Sequence, residues 1–199
     1  LSYNSQVIDE APSAYSQASW VGMGWSLDTG AITRNMHGTD STAGPGMSSA
    51  EADDTFSISA GGVSGTLLPV GINSDGTTTY NTADQSFAKV IWNKSNTWTV
   101  YTKDGLIYTF GGSALTKDGK VYKYYASTNK SNGCASTVDT IWQWSLRSVK
   151  DTHGNELTYG YETLNKQDQN GNTCSNEIAV YPDWIEYPNH LYLIKFSRQ

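Results

Sequence analysis

The stretch that decides the fold runs Asp139-Thr-Ile-Trp-Gln-Trp-Ser-Leu-Arg-Ser-Val-Lys-Asp-Thr-His-Gly-Asn-Glu-Leu-Thr-Tyr-Gly-Tyr161. In its first half the residues alternate between two faces, with Trp142 and Trp144 on one face and Ile141 on the other. A period of two residues is typical of a β-strand, because successive side chains of a strand point to opposite sides. The first half is therefore predicted to be a strand with one aromatic face.

The second half of the stretch repeats this pattern, since Leu157, Tyr159 and Tyr161 share a face. Between the two halves lies the segment Asp151-Thr-His-Gly-Asn155. An aspartate can bond the backbone two residues further on, and a glycine adopts positive φ at little cost. We predict that the two strands form a long antiparallel hairpin closed by this turn.

The two cysteines are placed by the same hairpin. If the turn is centred between Thr152 and His153, residue 171 lies opposite Cys134 and close in sequence to Cys174. One bulge or one loop residue absorbs the remaining slip. We predict a Cys134–Cys174 disulfide at the open end of the hairpin, which would stabilise the fold by about 3–4 kcal/mol. Two free thiols in unrelated loops are the alternative.

Composition favours a single all-β unit over residues 1–199. Hydrophobic residues make up 37% of the chain and aromatic residues 12%, and aromatic side chains are enriched in strands. The 19 glycines, together with many Ser, Thr, Asn and Asp residues, indicate numerous turns. We predict mostly antiparallel hairpins that form a curved or wrapped sheet.

The charge balance limits the classes of partner. A formal net charge of −6 argues against nucleic acid, because phosphate binding needs a basic surface. No apolar run approaches the length that crosses a bilayer. Two cysteines and a composition rich in Ser, Thr, Asn and Tyr are typical of a secreted or cell-surface protein.

Alternation and turn residues predict the remaining elements. Residues 36–54 have no period and are predicted to be a long mobile surface loop. The other predicted strands cover residues 1–7, 31–35, 55–59, 63–68, 87–92, 97–102, 106–110, 121–125, 177–187 and 191–196. Nothing in the sequence predicts a helix longer than about two turns.

A loose internal repeat links several of these hairpins. Each unit is a turn with Asp and Gly, followed by a strand with aromatic residues at alternate positions. The units are Asp104-Gly105 before Tyr108 and Phe110, Asp118-Gly119 before Tyr122 and Tyr124, and Asp151 with Gly154 before Tyr159 and Tyr161. Their spacing is irregular, which indicates a meander rather than a strict solenoid.

Several segments form a further pattern in their order along the chain. The first segments are Leu1-Ser-Tyr-Asn-Ser5, Ser19-Trp-Val-Gly-Met-Gly-Trp-Ser-Leu27 and Ile32-Thr-Arg34. The later ones are Trp98-Thr-Val-Tyr-Thr-Lys-Asp-Gly105, Tyr108-Thr-Phe-Gly111, Trp144-Ser-Leu-Arg-Ser-Val-Lys-Asp151 with His153-Gly-Asn155, and Ile185-Glu-Tyr-Pro188 with Tyr192, Ile194 and Phe196. Together, in this order, these segments resemble the opening of the shell region in Rhs/YD-repeat proteins. The match covers most of the chain, so it is more specific than any one motif.

This resemblance implies a spiralling β-sheet wound into a hollow cocoon that encloses a C-terminal toxin domain until delivery. The family is related to the B and C components of bacterial Tc toxins and to the shell of teneurins. The 199 residues hold only the family's beginning, with no long YD array, no aspartyl-protease-like segment and no toxin tip. We therefore expect a wall, plug or cap of a larger shell, or a standalone relative with another use.

The aromatic residues offer a rival reading, because rings that lie flat on a sheet can stack on sugars. The candidates for glycan stacking are Trp92, Trp98 and Trp184. The alternative is that such rings form the core, which stabilises the fold by about 2–3 kcal/mol for each buried ring. We expect a core position for Trp25, Trp142 and Trp144.

Cofactor and catalytic signals are weak. The three histidines, His37, His153 and His190, lack metal-ligand spacing, so no zinc site is predicted. The segment with Asp168, Asn170 and Asn172 alternates oxygen ligands and is a weak calcium candidate, although an Asx-rich turn explains it as well. No catalytic residues are assigned, because no motif pairs a nucleophile with a base and no carboxylates have glycosidase spacing.

The sequence therefore predicts a non-enzymatic structural segment of a secreted Rhs/YD-type β-shell that encloses or delivers a toxin or cargo. Its partners would be further shell strands of the same parent chain or the cargo, and we expect open strand edges at residues 1–7 and 191–196. The alternatives are a standalone carbohydrate-binding β module and a glycoside hydrolase. A glycoside hydrolase would need two facing carboxylates in a groove, for which the acidic residues are Glu156, Glu162, Glu177, Asp183 and Glu186.

Overall fold

The structure, a computed structural model, describes the backbone of most of the chain. The described residues are 2–3, 25–26, 29–35, 39–40, 44–45, 54–84, 86–93, 97–112, 120–123, 140–167 and 173–197. Side chains are described for residues 29–35, 54–84, 86–93, 97–112, 141, 143–162 and 181–197.

The predicted all-β class is confirmed, since the described residues form strands and a single turn of 3-10 helix at Pro188–His190. The first strands are β1 (Ser2–Tyr3), β2 (Trp25–Ser26), β3 (Ala31–Asn35), β4 (Thr39–Asp40), β5 (Gly44–Pro45), β6 (Thr55–Ala60), β7 (Val63–Ile72) and β8 (Thr78–Thr82). They are followed by β9 (Lys89–Trp92), β10 (Thr97–Tyr101), β11 (Ile107–Gly111), β12 (Lys120–Lys123), β13 (Thr140–Lys150), β14 (Glu156–Gln167), β15 (Thr173–Glu186) and β16 (Leu193–Lys195).

Eight antiparallel strands close into a barrel. The order around the barrel is β3, β6, β7, β8, β9, β10, β11 and β13, and the pairing of β11 with β13 closes the ring. Strands β14, β15 and β16 extend the same sheet away from the barrel, and β12 pairs with the outer part of β13. Closure leaves the eight barrel strands with partners on both sides, which removes most of their open edges.

Strand β13 is the centre of this architecture, as its alternating sequence predicted, because it pairs with β3, β11, β12 and β14. The predicted turn at Asp151–Asn155 is also present, but the long hairpin is wrong in its extent. The ladder between β13 and β14 has only three residue pairs and ends at Ser148 and Thr158. Beyond that point β13 pairs with β3 instead of β14, and β14 continues to pair with β15. The reason is that barrel closure occupies both edges of β13.

Two β-bulges change the faces of β13. The register against β12 skips Trp142, and the register against β11 skips Arg147. A bulge inserts one residue and moves every following side chain to the other face. As a result Ile141 lies in the same core as Trp144, whereas strict alternation predicted that these two residues face opposite sides.

The barrel core is built around aromatic rings. Phe56 packs edge-on against Trp98 with ring centroids 4.9 Å apart and against Trp144 at 5.9 Å. Trp98 stacks on Trp92 at 5.6 Å, and the Arg34 guanidinium carbon lies 5.3 Å from the centre of the Phe56 ring. The core position predicted for Trp144 is confirmed. The side chains of Trp25 and Trp142 lie outside the described residues.

Three hairpin turns share one geometry. In each turn the first residue donates its N–H to the carbonyl of the fifth residue, and the glycine in fourth position has positive φ and donates to the carbonyl of the first. This is the pattern of a short hairpin loop that ends in a left-handed residue. The turns are Asn73 to Thr77 with Gly76, Thr102 to Leu106 with Gly105, and Asp151 to Asn155 with Gly154.

The other predicted boundaries need smaller corrections. The strand predicted to begin at residue 87 begins at Lys89, and strand β8 was not predicted. The strand predicted at 177–187 begins earlier, at Thr173, and β14 extends to Gln167. Of the loop predicted at 36–54, the structure describes only the short β4–β5 pair and Asp54, so its mobility stays a prediction.

Candidate assembly edge

The extension formed by β14, β15 and β16 is fastened to the barrel by one buried tyrosine. The hydroxyl of Tyr161 on β14 donates to the backbone carbonyl of Leu146 on β13 at 2.7 Å, and it also lies 3.3 Å from the Thr29 hydroxyl. Tyr161 is buried although β14 and β13 no longer pair at this point. Its side chain therefore holds the two diverging strands together.

A glycine and a tryptophan hold β14 against β15. Gly160 pairs with Trp184, and a Cβ built on Gly160 would lie 2.1 Å from the indole Cε2 and Nε1 atoms. The indole therefore lies directly over the Gly160 backbone. Only glycine leaves room for this approach, because real Cβ contacts of that length do not occur.

Strand β16 is the last strand of the extension and pairs with β15. Within the described residues, no strand pairs with its other side. Four side chains in and just before β16 are apolar and exposed, namely Leu191, Tyr192, Leu193 and Ile194. The third residue of β16, Lys195, is exposed and charged. An exposed strand with unpaired backbone groups and apolar side chains is a template for pairing with another strand. This matches the open edge predicted at residues 191–196.

The connection that leads into β16 is held by polar and aromatic contacts. His190 Nδ1 forms a short contact with the carboxylate of Glu186, and this hydrogen bond raises the pKa of His190. The rings of Tyr187 and Tyr192 meet edge-on with centroids 6.2 Å apart, and the Tyr187 N–H donates to the Tyr192 carbonyl at 2.9 Å. These contacts fix the direction in which β16 leaves the connection.

The tryptophans predicted to stack on glycans occupy different environments. Trp98 is 0% exposed and has no ring face open to solvent. Trp92 stacks on Trp98 and packs against the barrel core. Trp184 is half-buried over Gly160 in the extension. The structure therefore does not bring the three rings together as a surface platform.

Other predicted site residues fall outside the described part of the chain. This holds for Cys134 and for the calcium candidates Asp168, Asn170 and Asn172, while only the backbone of Cys174 is described. The disulfide and the calcium loop therefore stay predictions. The hairpin register no longer supports the disulfide, because the β13–β14 ladder ends at Ser148 and Thr158 and does not continue along the chain toward residues 134 and 174.

The acidic residues considered for glycosidase chemistry are spread over the extension. Glu186 contacts His190, Glu156 and Glu162 are exposed on β14, and Asp183 lies on β15. The side chain of Glu177 is not described. In the part of the chain with described side chains, no cluster of three or more His, Cys, Asp or Glu residues could hold a metal ion. No helix in the described residues is long and apolar enough to cross a bilayer.

Comparison with known proteins identifies the architecture. No protein-family model and no curated protein matches the chain. The N-terminal domain of the effector protein SpvB from Salmonella typhimurium strain LT2 superposes with a TM-score of 0.56 at 18% identity, over 90% of this chain and 59% of that chain. TcdB2-TccC3 superposes with a TM-score of 0.55 at 16% identity, over 89% of this chain and 9% of that chain.

A second TcdB2-TccC3 structure, TcdB2-TccC3-TEV, gives the same result, with a TM-score of 0.55 at 14% identity. These neighbours are related to Rhs/YD shells. The chain therefore shares its fold with the N-terminal domain of SpvB and with a part of TcdB2-TccC3. The resemblance inferred from the sequence motifs is thereby confirmed at the level of the fold. The chain spans less than two thirds of the length of each of these solved chains.

The open edge at 191–196 was anticipated from the hypothesis of a shell segment, which requires strand edges that further strands can pair with. The fastening of the extension was missed. Tyr161 was expected only to share a face with Tyr159, and nothing local in the sequence shows that its hydroxyl reaches a carbonyl on another strand. Gly160 was a usable signal, since a glycine inside a strand pattern often marks close approach by another group.

Proposed function

We propose that this chain is a non-enzymatic segment of a secreted Rhs/YD-type β-shell that encloses or delivers a toxin or another cargo. The observation that carries the proposal is the outer edge of β16, with which no strand of the described residues pairs, and which exposes Leu193 and Ile194 at the end of a sheet that already extends beyond the barrel. Such an edge presents unpaired backbone groups that can pair with another strand, and a further shell strand would cover it by continuing the same ladder.

The barrel and the extension have complementary roles in this proposal. The barrel closes on itself and buries its own aromatic core, so it is a self-supporting body. The extension is tied to it by Tyr161 and grows outward through β15 to β16. A sheet that extends strand by strand from a closed barrel has the geometry expected where the wall of a β-shell begins. The shell neighbours, in which the matched region is a small part of the chain, support this reading.

The experiment uses the natural full-length protein and measures protection of the enclosed segment from protease. Leu193 on β16 is replaced by aspartate, which places a charge on the proposed contact. We expect faster proteolysis of cargo in this variant than in the unmodified protein, because the wall no longer closes next to β16. Val70→Asp is the matched control, since Val70 on β7 is 62% exposed and Leu193 is 60% exposed.

Two results would contradict the proposal. If Leu193→Asp and Val70→Asp leave protection equally intact, the β16 edge does not take part in the wall. If protease cleaves every segment of the unmodified full-length protein at a similar rate, so that none is protected, no shell is formed. Circular dichroism on each variant separates a local loss of contact from unfolding of the barrel.

The two alternative functions are less well supported by the described geometry. A glycan platform built from Trp92, Trp98 and Trp184 would need exposed rings, and Trp98 is enclosed by the core. A glycoside hydrolase would need two facing carboxylates. Among described residues, Glu186 is committed to His190. These observations favour the structural role.

A further inference from the structure

A groove lies on the outer face of the barrel, away from the β16 edge. It has a volume of about 530 Å³ and is lined by Thr79, Asn81, Thr82, Ser86, Phe87, Ala88 and Lys89. This volume is within the range of small-molecule sites. Strand β8 forms its floor, and residues 86–88, which precede β9, form one wall.

The wall presents an aromatic ring to solvent at a conformational cost. Phe87 is 76% exposed and its backbone has a φ of 55°, in the left-handed region that bulky residues rarely adopt. Hydrogen bonds hold the residue just before Phe87: the Ser86 N–H donates to the Asp84 carbonyl at 2.7 Å, and the Thr82 and Ser86 hydroxyls lie 2.6 Å apart. Strain held in place by its surroundings is concentrated at functional sites.

Some polar groups of the groove form hydrogen bonds within the protein, and others are available to bind a ligand. The hydroxyls of Thr82 and Ser86 are engaged in the loop, and the Thr79 hydroxyl bonds the side chain of Asn73. Among the described contacts, the Asn81 amide and the Lys89 ammonium have no hydrogen-bond or ion-pair partner. The lining residues include no carboxylate. The groove therefore offers one ring, one amide and one cation.

The register extends this surface beyond the groove. Lys89 pairs with Tyr101 on β10, and directly paired residues share a face of the sheet. Tyr101 is also exposed. A second aromatic side chain therefore lies beside the cation, on the side of Lys89 that faces β10.

We propose that this groove binds an acidic saccharide. The apolar face of a pyranose ring would stack on Phe87, because sugar C–H groups pack well against an aromatic face. The Asn81 amide, which both donates and accepts, would bond neighbouring hydroxyl groups. The Lys89 ammonium would pair with the carboxylate of the sugar in a charge-assisted hydrogen bond. This site is distinct from the tryptophans predicted to stack on glycans, and it does not depend on the proposed shell function.

The test measures saccharide binding by NMR, with 3′-sialyllactose as the acidic probe and lactose as its neutral counterpart. We expect 3′-sialyllactose to bind at least about fivefold more tightly and to shift resonances of the groove residues. Phe87→Ala should weaken binding by about tenfold, and Phe87→Tyr, which keeps the ring, should stay within about twofold of the unmodified protein. Lys89→Gln should reduce affinity for 3′-sialyllactose to that for lactose.

Tyr192→Ala is the matched control, because Tyr192 is 70% exposed but lies beside the β16 edge. It should leave binding unchanged. The proposal is overturned if 3′-sialyllactose causes no saturable shift in the groove, if lactose binds equally well, or if Tyr192→Ala weakens binding as much as Phe87→Ala. Chemical-shift dispersion of each variant verifies that the barrel is folded. Phe87→Ala should leave protease protection in the full-length protein unchanged, so a failure of saccharide binding is distinguishable from a failure of the shell proposal.

Discussion

The hydroxyl of Tyr161 donates a buried hydrogen bond of 2.7 Å to the backbone carbonyl of Leu146. The two residues belong to strands that pair over only three positions before they separate. A side-chain bond therefore replaces the missing ladder and joins the barrel to the extension that carries the free edge.

Tyr161→Phe removes this hydroxyl and leaves the ring in place. The Leu146 carbonyl then loses a buried partner, which should lower the free energy of unfolding by about 1–2 kcal/mol. Urea denaturation followed by tryptophan fluorescence measures the change. Tyr101→Phe is the control, because Tyr101 is exposed, and it should change stability by less than about 0.5 kcal/mol. Equal stability of the two variants would show that the Tyr161 hydroxyl contributes nothing.

Gly61 and Gly62 form a matched pair at the turn between β6 and β7. Both have positive φ, but a Cβ at Gly61 would lie 2.3 Å from the Tyr108 ring, whereas a Cβ at Gly62 has no atom within 4 Å. Gly62→Ala should therefore cost about 1–2 kcal/mol for the left-handed conformation alone. Gly61→Ala should cost at least about 1 kcal/mol more, because the buried Tyr108 ring must also move. Thermal unfolding of the two variants compares them directly.

The comparison of Gly61 with Gly62 also shows what the sequence could not reveal. Both glycines are obvious turn residues, but the contact of Gly61 with Tyr108 joins strands that are not neighbours in the barrel. Local patterns predicted the turn at Asp151, most strands and the central place of β13. The bulge at Trp142 and the closure of β11 onto β13 depend on distant partners, so alternation alone assigned Ile141 to the wrong face.

Some elements that were not predicted correctly had a recognisable pattern in the local sequence. Strand β8 was not predicted because its residues are mostly threonine and asparagine, yet Thr78, Tyr80 and Thr82 alternate and are buried. β-Branched threonine favours strands, so the period of two was present without the usual apolar residues. The exposed Phe87 gave the opposite error. An aromatic residue beside an apolar run indicates a strand, but here the positive φ places it outside β9.

The contact between His190 and Glu186 makes one stability term pH-dependent. The pKa of His190 is raised by the hydrogen bond that its ring N–H donates to the Glu186 carboxylate and by the negative charge of Glu186. A raised folded-state pKa stabilises the protein below the unfolded value of about 6.5, and this stabilisation is lost as the pH rises through the folded-state pKa. Glu186→Gln should lower the NMR titration midpoint of His190. It should reduce stability at pH 5.5 and leave it unchanged at pH 8.5; the reverse order would contradict the assigned partner.

The packing of the β10–β11 turn against the β13–β14 turn can be tested with a second substitution that restores lost stability. Gly105 and Gly76 occupy the same position in turns of the same geometry, but a Cβ at Gly105 would lie 2.5 Å from Thr152 Cγ2 whereas a Cβ at Gly76 meets no atom within 4 Å. Gly105→Ala should therefore be the more destabilising variant, by about 1 kcal/mol. Thr152→Ser removes the Cγ2 atom, so Gly105→Ala combined with Thr152→Ser should unfold at the denaturant concentration of Gly76→Ala. If the second substitution restores nothing, the extra cost of alanine at Gly105 does not come from the neighbouring turn, and the close packing of the β10–β11 and β13–β14 turns is not a source of stability.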